Sequence, residues 1–230
     1  MKILALETSA KAVSAAVVED GKVLCSGYQD TGLTHSRTLM PIVEGILKNT
    51  DLSIADCDVI AVAAGPGSFT GIRIGVAAAK GLAFGADKPA VGVSTLAAMA
   101  RNVAHVDGLV ICAMDARRQQ IYNALFEAKD GRLTRLTPDR AISLADLTEE
   151  LKDNSLPKIV VGDGARLCYN HLSEQGVSCR MAPAHLVMQN AMSVALEAEA
   201  AALAGEACSA QDLQPVYLRP AQAQRLKDRI

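Results

Sequence analysis

The most distinctive run in the chain is Gly65-Pro66-Gly67-Ser68-Phe69-Thr70-Gly71, set between an apolar stretch and a helical pattern. In that position, backbone N–H groups at a helix start can hold an anion. The residues exclude the common versions of such a site. Ile72 and Arg73 follow the last glycine, where a P-loop needs Lys and Ser or Thr. The glycines run G-x-G-x-x-x-G, one residue too long for a dinucleotide fingerprint, and the next strand ends in Ser94 rather than an acid. A nucleophile elbow at Ser68 would need glycines where Pro66 and Thr70 stand. Two readings stay open: a phosphate cradle of another kind, or a turn that starts a helix close to a sheet.

Other reactive residues give weaker signals. His35, His105, His171 and His185 never fall three or four apart, so no helix carries a histidine pair and no metal is expected. The carboxylates Glu149, Glu150, Glu197 and Glu199 read as solvated helix faces, and Arg219, Arg225, Lys227 and Arg229 as a solvated tail. The six cysteines form no C-x-x-C pair and lie among strand and helix patterns, so they are expected to be reduced thiols, mostly in the core. Glu7 comes too early for a secretory signal, and no apolar run approaches the roughly 18 residues of a membrane span. A cytoplasmic protein without a membrane partner is the expectation.

Charge bears on partners. With 23 basic against 25 acidic residues and a net charge of −2, the chain lacks the basic excess that gives a lone nucleic-acid binder its affinity. Aromatic residues are 3% of the chain, too few for a base-stacking surface.

The elements that must position these residues follow from periodicity. Residues 2–8, 12–18 and 22–29 read as three strands, the last two joined by a turn containing Asp20-Gly21. A helix is expected over 36–49, with Leu39, Ile42, Val43, Ile46 and Leu47 on one face and Pro41 in its first turn or at a bend. Strand 58–64, a helix from the glycine loop to 84, strand 90–93 and helix 96–103 complete a β-β-β-α-β-α-β-α order. The same order is expected again from Gly108, closing on a long alanine-rich helix over 186–203. Glu7 and Asp115 end the first strand of each unit, so we read two α/β lobes, 1–106 and 107–230, arisen by duplication. The C-terminal segment is allowed to pack back on the first lobe.

The helix after the glycine loop carries Gly71, Gly75, Ala79 and Ala83, a stripe with almost no side-chain bulk. Helical glycine costs about 0.5–1 kcal/mol against alanine, so close approach of another backbone is expected to offset it. Packing on its own sheet and packing on a partner are both open. The partner version takes Leu39, Val43, Ile46 and Leu47 with this stripe as an interface in which two helices from each of two chains meet.

A duplicated lobe with an acid at each first-strand tip resembles the actin, sugar-kinase and Hsp70 ATPase superfamily, a ribonuclease H-like fold. Within it, Glu7-Thr8-Ser9, the run from Gly65 to Gly75 and the late Pro215-Val216-Tyr217-Leu218-Arg219 resemble the bacterial TsaB (YeaZ) family. The resemblance implies a part in forming N6-threonylcarbamoyladenosine at position 37 of tRNAs that read ANN codons. It implies a non-catalytic partner of the metalloenzyme TsaD, working with TsaE and TsaC, a homodimer when alone, and contact with tRNA only through the complex. ATPases of the superfamily wrap phosphates with glycine-rich turns after both acids. Here Thr8-Ser9 follow Glu7, and Ala116-Arg117-Arg118 follow Asp115, so both phosphate turns look degenerate and nucleotide is expected to bind weakly at most. The metal-binding H-x-x-x-H of TsaD-like proteins falls on Thr95 and Met99. The rival reading is a free-standing enzyme, either a sugar-kinase-type phosphotransferase or a glycoprotease-like peptidase.

Overall fold

The computed structural model describes residues 1–117 and 119–219. Arg225, Lys227 and Arg229 of the basic tail therefore lie outside the described residues. The first sheet comprises β1 (Lys2–Glu7), β2 (Val13–Glu19), β3 (Lys22–Gln29), β4 (Val59–Gly65) and β5 (Ala90–Ser94), in the order β3-β2-β1-β4-β5. β1 runs antiparallel to β2 and parallel to β4. Asp20 and Gly21 both take positive φ, 48° and 75°, the geometry of a tight hairpin turn. β4 is buried along its whole length and β1 from Ile3 onward, which explains their continuous apolar runs.

Two helices cover one face of this sheet, α1 (His35–Asn49) and α2 (Phe69–Gly85). Pro41 stands inside α1, beyond its first turn. Its missing N–H falls on the exposed side, where water can serve the freed carbonyl.

The second sheet repeats the plan with β6 (Gly108–Asp115), β7 (Gln120–Lys129), β8 (Arg132–Arg135), β10 (Lys158–Val161) and β11 (Arg180–Met181), in the order β11-β10-β6-β7-β8. A further short strand, β9 (Arg140–Ser143), pairs with the other half of β7 and departs from the simple repeat. The helices α4 (Leu144–Leu151) and α5 (Ala165–Glu174) cover its outer face.

The inner layer is shared across the expected boundary at 106/107. α3 (Thr95–Arg101), from the first half, places Leu96, Met99 and Ala100 against Val110, Cys112 and Met114 of the second sheet. α6 (Ala191–Leu203), from the second half, places Ala191, Val194, Ala195 and Ala198 against Ile3, Ala5, Val59 and Ala61 of the first. The lobes thus exchange helices, and alanine lets them pack close. α6 also starts later than the expected 186. Asn102 Nδ2 donates to the Leu186 and Met188 carbonyls at 2.8 and 2.9 Å, and Asn190 caps the helix by accepting from Ser193 N–H. Those bonds hold 186–190 as a separate bend.

Among the described residues, no helix is long and apolar enough to cross a membrane.

Candidate functional site

The tip of β1 and the glycine loop are built as one unit. Ser68 N–H donates to the Ser9 carbonyl at 2.7 Å, and Thr8 Oγ1 donates to the Gly71 carbonyl at 2.8 Å. Ser68 Oγ accepts from Gly71 N–H and caps α2. The glycines exist because there is no room for a side chain. A Cβ on Gly71 would overlap the Thr8 carbonyl oxygen, one on Gly75 the Thr8 hydroxyl, and one on Gly67 the Ser9 carbonyl. Gly65, at φ +133°, lies against the backbone oxygen of Val216. The loop therefore carries α2 onto the β1 tip, with Thr8 and Ser9 packed directly against Gly67, Gly71 and Gly75.

Each strand-tip acid closes its own turn. Glu7 Oε1 accepts from Ser9 N–H at 2.5 Å, and Asp115 Oδ1 accepts from Arg117 N–H at 2.7 Å. The duplicated lobes repeat this bond at the same two-residue offset. Their surroundings differ, because Glu7 is 1% exposed while Asp115 is exposed. His35 Nε2 bonds to the Ala10 carbonyl at 2.8 Å and steadies the turn after Glu7.

Burial pushes the Glu7 carboxyl up to about 7, with Asp163 adding to the rise and hydrogen bonding from Ser9 opposing it. Glu7 Oε2 has no hydrogen-bond partner among the described residues. Asp163 is raised as well, chiefly by burial and further by Asp115, while Gln189 Nε2 donates to its Oδ1 at 2.9 Å. Glu7 of the first lobe and Asp163 and Asp115 of the second are thus linked through their charges. Asp163 and Gln189 are absent from the sequence reading. The signal that could have found Asp163 is Gly162-Asp163-Gly164, since a Cβ on Gly162 or Gly164 would collide with the β6 tip much as the earlier loop meets β1.

The eight residues expected at a partner interface are placed otherwise. Leu39, Val43 and Ile46 are at most 3% exposed, in one cluster with Leu4, Leu6, Val62 and the α2 residues Ala79 and Ala83. Leu47 packs half-buried against the same cluster. Gly71 and Gly75 face Thr8. The stripe is accordingly used on the chain's own sheet and strand tip. What α1 and α2 turn outward is another set, including Arg37, Pro41, Glu44, Arg73, Ala77, Gly81 and Phe84, the last 71% exposed.

Comparison with known proteins decides the family. The profile of TsaD, tRNA N6-adenosine threonylcarbamoyltransferase, matches residues 29–221. The tRNA threonylcarbamoyladenosine biosynthesis protein TsaB of Bacillus subtilis is 39% identical over 167 residues, 73% of each chain. That of Escherichia coli is 31% identical over 223 residues, 95% of each chain. The chain belongs to the TsaB family. Among solved structures, an uncharacterized protein from Pseudomonas aeruginosa with similarity to peptidase YEAZ superposes with a TM-score of 0.83 at 26% identity, covering 95% of this chain and 99% of that one. YeaZ from the same organism gives 0.80 at 25% identity, covering 94% and 99%. At the level of fold alone, a ROK hexokinase from Thermus thermophilus gives 0.50 at 13% identity, covering 89% and 100%, so the chain shares the sugar-kinase architecture.

Thr95 and Met99 stand where the histidine pair of TsaD-like proteins is expected. Thr95 is fully buried with its hydroxyl unpaired among the described residues, and Met99 is 1% exposed within the core beneath α3. A thioether and a lone hydroxyl do not reproduce the site that paired imidazoles make for zinc or iron, so these residues do not fit such a metal.

Proposed function

We propose that this chain is a non-catalytic subunit that binds and activates a TsaD-like transferase during formation of N6-threonylcarbamoyladenosine on tRNA. TsaE and TsaC are further partners in this reading, tRNA is reached through the complex, and the setting is the cytoplasm. The biosynthetic role carried in the relatives' names supports it. The observation that carries it is the closure of both strand-tip turns. Ser9 N–H is committed to Glu7 and Arg117 N–H to Asp115, so neither amide is free to take a phosphate. Nucleotide binding by the isolated chain is accordingly weak at most.

The docking face in this reading is the outward side of α1 and α2. Ala77 and Gly81 leave a shallow exposed track along α2, ending at the exposed Phe84, while Pro41 and Glu44 face out from α1. A helix pair of a second copy or of a similarly folded partner can lie along such a track, which gives a homodimer alone and a heterodimer with the transferase.

Reconstitution tests the proposal. tRNA modification by TsaD, TsaE and TsaC is expected to require this chain, while the chain alone turns over neither ATP nor peptide. Robust ATP turnover that is lost in Glu7→Ala or Asp115→Ala overturns it.

A second reading, in which the chain is itself the transferase, is favoured by the description of the matching family profile. The packed Thr95 and Met99 speak against it. Modification activity without TsaD decides between the two.

A further inference from the structure

After α6 the chain returns to the first lobe as a strap. Cys208 exchanges both backbone hydrogen bonds with Ala90 at 2.9 Å, along the edge of β5. Lys80 Nζ donates to the Gln211 and Leu213 carbonyls at 2.9 and 3.2 Å, and Leu213 is 2% exposed in the α1/α2 core. Val216 N–H donates to the Ala64 carbonyl at 2.8 Å, at the end of β4. Tyr217 then stacks on Phe69 with ring centroids 4.9 Å apart and accepts from Arg73 Nε at 2.9 Å, while the Arg73 guanidinium sits 3.9 Å above the Phe69 ring. Every anchor from Cys208 to Tyr217 is on the first lobe.

Arg219 breaks that pattern. Its Nη1 donates to the Ala116 carbonyl at 2.7 Å, in the turn that follows the Asp115 strand tip of the second lobe. That turn is conformationally demanding, with positive φ at Arg117 (66°) and Gln119 (56°). Beside it, a Cβ on Gly67 of the first lobe would touch the Met114 methyl at 3.2 Å. The strap therefore ends where the two strand tips face each other. The inner helices meet by packing, and packed helices allow small sliding movements between lobes. A guanidinium bond at the tips restricts such movement.

We propose that Arg219 is a latch, aimed by the Phe69–Arg73–Tyr217 stack, that holds the Asp115–Gln120 turn of the second lobe against the first. The strap is the arm of this latch, and the docked rings set its reach. Anything that binds the Ala116 carbonyl or the Arg219 guanidinium in place of the other releases the turn.

Hydrogen exchange on the intact chain tests this. The reporter amides are Ala116 and Arg117, bonded to the Gln120 carbonyl and the Asp115 carboxylate, and Gln120, bonded to the Arg117 carbonyl. In Arg219→Ala, exchange in this turn is expected to rise roughly 10-fold, the effect of losing one charge-assisted hydrogen bond. The matching first-lobe turn at Glu7–Ser9 keeps its wild-type rate. Tyr217→Ala, which leaves Arg219 in place but frees the arm, gives the same selective rise. Unchanged exchange at the Asp115–Gln120 turn in Arg219→Ala overturns the latch. So does an equal rise in both turns, which would mark general destabilisation.

Discussion

Thr8 donates its hydroxyl to the Gly71 carbonyl and, with its own carbonyl and hydroxyl, occupies the space that side chains on Gly71 and Gly75 would need. One residue at the tip of β1 thus accounts for two glycines inside a helix. The energetic cost of those glycines is offset by the close approach they permit.

The first prediction separates these glycines from others on the same helices. Gly75→Ala should destabilise the fold by about 1–3 kcal/mol, because the new Cβ meets the Thr8 hydroxyl on a fixed strand tip. Gly81→Ala and Gly45→Ala meet nothing within 4 Å, and each should stabilise the isolated chain by about 0.5–1 kcal/mol. Urea melts of the three variants check this; a neutral Gly75→Ala would remove the argument.

A second prediction concerns the two sides of α2. Ala79 is fully buried on the chain's own sheet, so Ala79→Leu should lower the melting temperature through overpacking worth about 1–3 kcal/mol. Phe84→Asp, on the exposed side, should leave the melting temperature unchanged and weaken association with itself or with a TsaD-like partner. Sedimentation and titration calorimetry read the association. Full affinity in Phe84→Asp would place the docking face elsewhere.

The third prediction is a pH dependence. Glu7 titrates near 7 when folded against its ordinary value of 4.5. Between those values the unfolded chain has released this proton while the folded chain keeps it, so stability falls as pH rises and levels off above about 7. A shift of this size corresponds to about 3 kcal/mol. Asp163, raised in the same direction, adds to the slope. Glu7→Gln keeps an oxygen for Ser9 N–H and should flatten much of the decline. Denaturant midpoints measured from pH 4.5 to 8 test it, and an unaltered slope in Glu7→Gln would assign the effect to other groups.

Periodicity made most of the first sheet and both of its outer helices legible. The Asp20-Gly21 hairpin and the face formed by Leu39, Val43 and Ile46 are local signals, and the structure carries both. What periodicity could not give is the identity of the surface opposite a face. The α2 stripe was readable as a close-approach surface, but the approaching group is Thr8, more than sixty positions earlier in the chain. The two-residue β11 has no period to detect, and β9 depends on pairing with distant β7. Gln189 and Asp163 meet only after folding: Gln189 stands in no run that marks it out, and Gly162-Asp163-Gly164 marks a tight turn without naming what Asp163 meets.

The exchanged helices have a consequence for synthesis. The inner face of the first sheet, with Ile3, Ala5, Ala16, Val18, Val59 and Ala61, is sealed by α6, the last helix of the described chain. During translation that face has little cover beyond Ala98 of α3 until residues near Leu203 have left the ribosome. The amino-terminal half must therefore wait, partly assembled and with an apolar sheet surface exposed, for nearly the whole polypeptide to be made. A chain that terminates early inherits the aggregation hazard of that uncovered surface, even though all five strands of its first sheet are present.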